Sequence, residues 1–273
     1  MFNQGNFEKM SEYIYRKSGI YLELSKHYDK IEKYINTRSK ELELDNFRKY
    51  FFLLRFDDKD GTEFQSLMNA VTVNETYFFR EHEQFEVLVN HVLPQLDRIR
   101  PDSEPLRILS APSSTGEEPY SMVLYLLEEA GLIENRDIEI IGIDIDSNVI
   151  KKAQDGKFSE RSVHAIPPAQ VAKYFKKVGF SYNLIDDLIG TVEFKVVNIF
   201  ERSEIRDLGK FDVIFSRNML IYFDDASKKE VAMNFYDMLK PDGFVFLGHA
   251  EYMSRIVSVF KAKKFDSCLI YQK

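Results

Sequence analysis

The sequence predicts an α/β protein in which an all-helical N-terminal domain precedes a doubly wound, mostly parallel sheet of the Rossmann type. After residue 105, short runs rich in β-branched and aromatic residues alternate with helical segments, as in a sheet whose parallel strands are joined by helices. Before residue 100 no segment alternates with the two-residue period of a strand. Apolar residues there recur at helical spacing instead, as in Phe7, Met10, Ile14 and Tyr15.

Three parts are predicted along the chain. A helical domain covers 1–90, a linker covers 91–105, and a sheet domain covers 106–273. The linker is predicted from "PQLDRIRPDSEP", which contains three prolines and mixed charges. Within the sheet domain, the irregular segment at about 156–194 is too long for a plain crossover, so we expect an insertion with β structure of its own.

Periodicity and turn residues locate the elements of the sheet domain. Strands are predicted over 106–111, 138–145, 192–199, 211–217, 243–250 and 268–273. Helices are predicted over 118–130, 147–155, about 169–177 and 226–240. The connection before the last strand is short, so it holds either a short helix or a turn that makes the last strand antiparallel.

Composition narrows the class of protein. With 44% apolar and 30% charged residues, the 273-residue chain is typical of a soluble globular protein. We expect no transmembrane helix and no signal peptide, and the lone Cys268 argues against a disulfide framework or a CxxC metal site, so no metal is predicted. The net charge of −7 argues against bulk affinity for nucleic acid. Together these features predict a cytoplasmic protein.

The corner after the first predicted strand, "SAPSSTGEEPYS" (110–121), has the layout of a nucleotide-binding turn but a single glycine, Gly116. A nicotinamide dehydrogenase is disfavoured because no G-x-G-x-x-G follows the strand. Glu117 and Glu118 stand at the helix N-terminus, where they repel a pyrophosphate and suit a ligand with a positive charge. The alternative is that both are only favourable first-turn acids.

Polar residues also follow the second and third strands. Asp144 in "GIDIDSNV" is placed to accept hydrogen bonds from ribose hydroxyls, whereas Asp146 is placed to cap the next helix. Asn198 in "VVNIF" offers a donor and an acceptor that suit an adenine edge. The alternatives are that both acids are caps or loop residues and that Asn198 closes an Asx turn.

Two further segments are unusually polar. "FSRNMLIYFDD" places Arg217, Asn218 and Tyr222 after the fourth strand, where an ion pair and a core tyrosine are the alternative interpretation. "VNETYFFREHEQF" (73–85) joins aromatic residues to Arg80, and the alternative is a helix capped by Asn74 or Thr76. Taken together, these positions indicate a nucleoside with a cationic extension and no phosphate. S-adenosylmethionine has that chemistry.

The motifs "NETYFFRE", "STGEEPYS", "IDID", "SRNMLIYFD" and "KPDGFVFLGHAE", in this order, resemble the CheR family of chemotaxis receptor methyltransferases over nearly the whole chain. The resemblance implies methyl transfer from S-adenosylmethionine to glutamates of chemoreceptor cytoplasmic helices, with S-adenosylhomocysteine as product. It places Tyr222 near the reacting methyl group, and we expect Arg80 to orient the acceptor carboxylate. The cofactor contacts it implies are Asn74, Thr76, Arg80, Glu118, Asp144, Asn198, Ile199, Arg217 and Asn218.

The chain departs from the family in two places. Pro112, Ser113 and Ser114 stand where members often have alanine and cysteine, a change among small residues. The insertion segment "KKVGFSYNLIDDLIG" looks short and glycine-poor, whereas many members carry a glycine-rich loop there that accompanies binding of a receptor's C-terminal pentapeptide. We therefore expect no binding of such a pentapeptide tether.

An acidic helical substrate requires a basic recognition surface. The second predicted helix is the candidate, with Lys26, Lys30, Lys33, Arg38 and Lys40, although the same residues also suit a solvated helix face. No dimer seam is apparent in the sequence, so a monomer is expected. Neither nucleic-acid binding nor membrane insertion is expected, for the reasons of charge and composition given above.

Other functions stay open at this level. A methyltransferase for small molecules or nucleic acid is disfavoured, because the Asn/Asp-Pro-Pro-aromatic motif of amino-methylating DNA enzymes is replaced by "RNML". A non-catalytic S-adenosylmethionine-binding signalling module is the main alternative. The presence of Arg80 and Tyr222 argues against it.

Overall fold

The computed structural model describes residues 2–129, 136–265 and 267–273. Its N-terminal part is helical and has its own apolar core, built around buried residues such as Phe7, Met10 and Ile14. These three lie on the predicted face of the first helix, which ends at Gly19 in the left-handed region at φ 71°. The helices are α1 (Gln4–Ser18), α2 (Leu24–Glu41), α3 (Phe47–Phe52), which continues into a π-helical turn (Leu53–Asp57), and α4 (Thr62–Val71).

A seven-stranded sheet follows, which confirms the predicted doubly wound α/β fold. Its spatial order is β6-β2-β1-β7-β8-β10-β9; neighbours from β6 to β8 are parallel, and β10 is antiparallel to both β8 and β9. The strands are β1 (Leu106–Ser110), β2 (Ile138–Asp144), β6 (Val192–Val196), β7 (Phe211–Ser216), β8 (Leu239–Leu247), β9 (Lys261–Phe265) and β10 (Cys268–Gln272).

Helices cover both faces of the sheet. The four helices predicted in the sheet domain lie close to their predicted ranges, although residue 130 of the first is outside the described residues, and α9 and α11 were not predicted. The helices of this part are α5 (His82–Val87), α6 (Leu93–Asp97), α7 (Glu117–Glu128), α8 (Ser147–Asp155), α9 (Glu160–Val163), α10 (Pro168–Tyr174), α11 (Arg202–Asp207) and α12 (Asp225–Met238). Within the described residues, none of these or the N-terminal helices combines the length and apolar character needed to cross a membrane.

The packing differs from the predicted linker over 91–105. Helix α5 runs through a π-helical turn (Leu88–Val92) into α6, and Leu93 and Leu96 are fully buried in the same apolar cluster as strand residues of the sheet. Pro94 interrupts nothing, because it stands in the first turn of α6, where a missing N–H costs little. The segment is therefore part of the sheet's helical layer, although the division into domains stays a prediction.

The insertion forms a three-stranded antiparallel sheet of β3 (Lys157–Ser159), β5 (Ser181–Leu184) and β4 (Phe175–Val178), in the order β3-β5-β4. Strands β4 and β5 are joined by a two-residue turn, Gly179–Phe180.

The strand order creates a crevice. The chain moves from β1 outward to β2 and β6, then returns to the other side of β1 as β7. Ligands of open α/β sheets bind at such a reversal, beyond the carboxyl ends of the strands. Here those ends are Ser110, Asp144, Val196 and Ser216.

Candidate active site

Two adjoining cavities lie at these strand ends and share Val73, Asn74, Pro112 and Tyr222 as lining residues. We call them the apolar cavity and the polar cavity; their volumes are about 750 and 790 Å³, including the part open to solvent. The predicted site residues all line one or both. Asp144, Asn198 and Ile199 line the apolar cavity, whereas Thr76, Arg80, Glu118, Arg217 and Asn218 line the polar one.

Asp144 brings a carboxylate into the mainly apolar cavity and is only 4% exposed. Its oxygens accept hydrogen bonds from the backbone N–H groups of Ser114 at 3.0 Å and Asp146 at 2.9 Å. Burial raises the pKa of Asp144 to about 6, against the lowering effect of these N–H groups. A buried carboxylate acceptor in the cavity wall fits the predicted role toward two ribose hydroxyls.

Asp146 has the capping role predicted for it. Its carboxylate accepts from the N–H of Asn148 at 2.8 Å at the start of α8. The other oxygen accepts from Thr72 Oγ1 at 2.7 Å and Asn74 Nδ2 at 2.9 Å. Asp146, the N-cap of α8, thus holds Asn74 at the edge of both cavities, and Asn74 does not cap a helix itself.

Glu118 and Arg217 form a buried ion pair at the back of the polar cavity. Their side chains are 9% and 3% exposed, and Arg217 Nε donates to Glu118 Oε2 at 2.5 Å. Ser110 Oγ donates to the other carboxylate oxygen at 2.8 Å, and Arg217 also donates to the carbonyl of Arg80 at 2.6 Å. Arg217 is thus ion-paired, as in the alternative interpretation, but its partner is an acid in the first turn of α7 and the pair faces the cavity.

Arg80 and Tyr222 line the open side of the polar cavity. The Arg80 guanidinium donates to the carbonyl of Glu75 at 3.1 Å and pairs with no carboxylate of the described residues. Burial raises the pKa of Tyr222, while the positive charge of Arg80 lowers it, so the two side chains are electrically coupled. Within the described part of the chain, no hydrogen bond holds the Tyr222 hydroxyl. Both groups are available to an incoming molecule.

The side-chain amide of Asn198 forms hydrogen bonds within the protein at both its nitrogen and its oxygen. Its Nδ2 donates to the carbonyl of Lys17 at 2.7 Å, and its Oδ1 accepts from the N–H of Phe200 at 3.1 Å. This is the Asx-turn alternative, with the amide fixing the end of α1 against the sheet. Asn198 contributes to the cavity wall next to Ile199, and its contact with adenine stays a prediction.

The sequence analysis missed Glu251. Its buried carboxylate accepts from three backbone N–H groups, those of Asn218 and Gly248 at 2.9 Å and Leu220 at 2.7 Å. Burial raises the pKa of Glu251. These bonds fix the loop that carries Asn218 and Tyr222. The signal was present, since Glu251 ends the motif "KPDGFVFLGHAE", but a single acid after a strand resembles any loop residue.

Part of the basic face predicted on α2 is used for contacts within the protein. Arg38 donates to Glu63, which is 5% exposed, at 2.8 Å, so its charge is neutralised internally. Lys30 Nζ donates to the carbonyls of Val71 at 2.9 Å and Thr72 at 3.2 Å, where it satisfies the C-terminus of α4. Of the five predicted cations, these two are bound by other helices, and a third, Lys26, pairs with Glu23 at 2.8 Å on the surface.

A doubly wound sheet with a buried carboxylate after its second strand, and with no glycine-rich phosphate turn, defines a nucleoside-binding protein of the methyltransferase class. A family model for "CheR methyltransferase, SAM binding domain" matches residues 74–268. The chain belongs to the CheR methyltransferase family and is an S-adenosylmethionine-dependent methyltransferase.

Similar proteins agree with this assignment. The chain is 48% identical over 269 residues to chemotaxis protein methyltransferase 2 of Vibrio cholerae, covering 98% of this chain and 92% of that protein. It is 33% identical over 265 residues to the chemotaxis protein methyltransferase of Salmonella typhimurium, covering 96% and 88%. Among solved structures, the CMeT domain of the citrinin polyketide synthase is 25% identical over 57% of this chain and 32% of that chain, with a TM-score of 0.35.

The two cavities fit S-adenosylmethionine by their chemistry. The apolar cavity has Ile143 and Val197 beside Asp144, which suits an adenosine. The polar cavity has Glu118, Arg217 and Asn218, which suit the charged amino-acid part. Ser114 lines the polar cavity, and its buried hydroxyl has no partner among the described residues, so it offers a further donor.

Asp144 predicts a pH dependence with opposite signs for binding and for stability. In the role predicted for Asp144, ribose hydroxyls donate to its ionised carboxyl, so affinity for S-adenosylhomocysteine is expected to fall as pH drops through about 6, approaching about tenfold per pH unit. The stability of the cofactor-free protein moves the other way. Because folding raises the pKa of Asp144 above 3.8, its stabilising contribution is present at low pH and is lost as pH rises through about 6.

Calorimetric titration of S-adenosylhomocysteine between pH 5 and 8 measures the binding arm of this prediction. The matched control is Asp144→Asn, which should bind weakly and with no transition near pH 6. A wild-type affinity that stays constant from pH 7 to 5 would contradict the role of Asp144.

Proposed function

We propose that this enzyme methylates glutamate side chains on the cytoplasmic helices of chemoreceptors and forms γ-glutamyl methyl esters. The observation that carries the proposal is the Arg80 guanidinium in the open polar cavity, without a carboxylate partner among the described residues. A planar guanidinium with free N–H groups matches an incoming carboxylate bidentately. The names of the Vibrio and Salmonella relatives, chemotaxis protein methyltransferases, support receptors as the bearers of that carboxylate.

The chemistry asks little acid–base work of the chain. A glutamate has an ordinary pKa of about 4.3, so the acceptor is already ionised at neutral pH and no general base is required. When bound, S-adenosylmethionine supplies an electrophilic methyl group on its sulfonium. Arg80 orients the acceptor oxygen, Tyr222 walls the reacting space, and Glu251 fixes the loop on which Tyr222 stands. Orientation of this kind lowers barriers by several kcal/mol, about 7–11 at best.

The test is transfer of a labelled methyl group from S-adenosylmethionine to a purified chemoreceptor cytoplasmic fragment. The expected label is released by mild alkali, as an ester is, and disappears when the receptor glutamates are replaced by alanine. Absence of incorporation despite tight cofactor binding would refute the proposal and favour the non-catalytic signalling module.

We also propose that the protein acts in the cytoplasm as a monomer and without a pentapeptide tether. The β4–β5 turn supports the last point, because it consists of Gly179 and Phe180 alone and leaves no glycine-rich loop there. We expect no heat of binding when the C-terminal pentapeptide of a tether-bearing receptor is titrated into the protein. A relative that binds the peptide serves as positive control, and micromolar binding to this chain would sink the idea.

A further inference from the structure

Helix α3 and its π-helical turn present an aromatic and cationic surface that the transfer chemistry does not use. We define the α3 face as Arg48, Phe52, Arg55 and Phe56. Phe52 and Phe56 are 54% and 57% exposed, and their ring centroids are 5.0 Å apart. The Arg55 guanidinium lies 5.1 Å from the Phe56 centroid, and Arg48 stands one turn before Phe52. None of the four lines either cavity.

The two arginines of this face differ from the others in the helical part. Arg16 pairs with Glu12, and Arg38 pairs with Glu63. Arg48 and Arg55 have no carboxylate partner in residues 2–129, 136–265 and 267–273. The neighbouring Lys49, by contrast, pairs with Asp45. Two guanidinium groups are thus left unpaired beside two phenyl rings.

This combination is characteristic of protein interfaces. Arginine and aromatic residues are enriched in interface cores, and they dominate the residues whose truncation costs binding energy. A partner that covers the exposed phenyl rings gains binding free energy from buried apolar surface. Carboxylates on that partner gain more by forming charge-assisted hydrogen bonds with the unpaired guanidinium groups. The complementary partner surface carries carboxylates around apolar side chains. Since α2 has lost Lys30 and Arg38 to internal contacts, this face is the stronger candidate for recognising an acidic helix.

We propose that the α3 face docks the acidic helical substrate at a second contact, away from the transfer cavities. This inference rests on the proposed receptor function. A second contact raises the effective concentration of the acceptor at the active site without taking part in the chemistry. It supplies affinity to an enzyme that is expected to lack the pentapeptide tether. Its loss therefore raises KM for the receptor and leaves kcat and cofactor binding alone.

The test compares two double variants, Phe52→Ser/Phe56→Ser and Arg48→Ala/Arg55→Ala, with wild type in methylation of a receptor cytoplasmic fragment. Each is expected to raise KM for the receptor at least about tenfold, since interface anchors cost about 1 kcal/mol or more each when truncated. Affinity for S-adenosylhomocysteine should stay at the wild-type value, which also reports that the variants fold. The arginine variant should flatten the dependence of KM on salt, and the phenylalanine variant should not.

The charge-matched control is Lys9→Ala/Lys17→Ala on α1, which removes two exposed positive charges from the same part of the chain and lies outside both the α3 face and the basic face of α2. An equal rise in KM in this control would show that the overall positive charge, and not docking at the α3 face, attracts the receptor, and it would overturn the proposal. An unchanged KM in both α3 variants would overturn it as well. Loss of binding to phosphatidylglycerol vesicles with an unchanged KM would assign the face to a membrane instead. Failure of the wild type to methylate any receptor would refute the proposed function separately.

Discussion

Replacement of Arg80 by alanine is expected to lower kcat for methyl transfer about a hundredfold or more, while the affinity for S-adenosylhomocysteine changes less than about fivefold. The reason is the position of the guanidinium, which lines the open polar cavity beside Tyr222 and makes one hydrogen bond, to the Glu75 carbonyl at 3.1 Å. Loss of the group leaves the acceptor carboxylate without its orienting partner. It removes no buried ion pair, so the fold should persist.

Single-turnover methylation and calorimetric titration of S-adenosylhomocysteine measure the two quantities independently. Arg80→Lys is the conservative variant, with the charge kept and the planar fork lost, and an intermediate kcat is expected from it. If kcat and cofactor affinity instead fell by the same factor in Arg80→Ala, the residue would be a cofactor ligand only.

The second large effect is on stability. Glu118→Ala is expected to lower the free energy of unfolding of the cofactor-free protein by about 3–5 kcal/mol, because it leaves the Arg217 charge buried without its partner. The side chain of Arg217 is 3% exposed, so its charge is largely shielded from water and depends on the carboxylate. Urea denaturation followed by circular dichroism measures the change. Glu118→Gln, which retains an oxygen for Arg217 or Ser110, should lose distinctly less.

Arg217 has one alternative partner within reach. Glu81 Oε2 lies 3.7 Å from Arg217 Nη1, and the same oxygen accepts a hydrogen bond from Gln84 Nε2 at 3.0 Å. A loss of less than about 1 kcal/mol in Glu118→Ala would show that Arg217 re-pairs with Glu81, and the Glu118 pair would then be dispensable for the fold.

The sheet and most of its strands could be predicted because strands buried on both faces have nearly continuous apolar sequences. Such runs are recognisable without knowledge of the neighbouring elements. Strand β9, whose sequence "KAKKF" is mostly lysine, was not predicted. An edge strand pairs on one side only, and charged residues are favoured there, so its pattern resembles a loop. The segment 91–105 was predicted as a linker because of its three prolines and mixed charges, yet Pro94 stands in the first turn of α6, where proline is tolerated.

In the candidate site, side chains that follow strand ends were predictable, since the topology fixes where those ends meet. Their partners were not. Asn198 is held by Lys17, which is 181 residues away in sequence, and Arg38 is neutralised by Glu63 from another helix. Such pairings depend on how α1 and α4 pack, which no local pattern encodes. The same holds for Glu251, whose role is visible only once its carboxylate is seen to accept from two separate loops.

The apolar cavity has walls from both halves of the chain. Ser18, Ile20 and His27 come from the helical part, and Ile143 and Met219 come from the sheet. A ligand that fills this cavity contacts both halves, so its binding free energy stabilises their packing against each other. At a concentration one hundred times its Kd, the added stability is about 2.7 kcal/mol. The rigidity of the enzyme would then follow the supply of S-adenosylmethionine and S-adenosylhomocysteine, so that the metabolic state of the cell sets how firmly its two halves hold together.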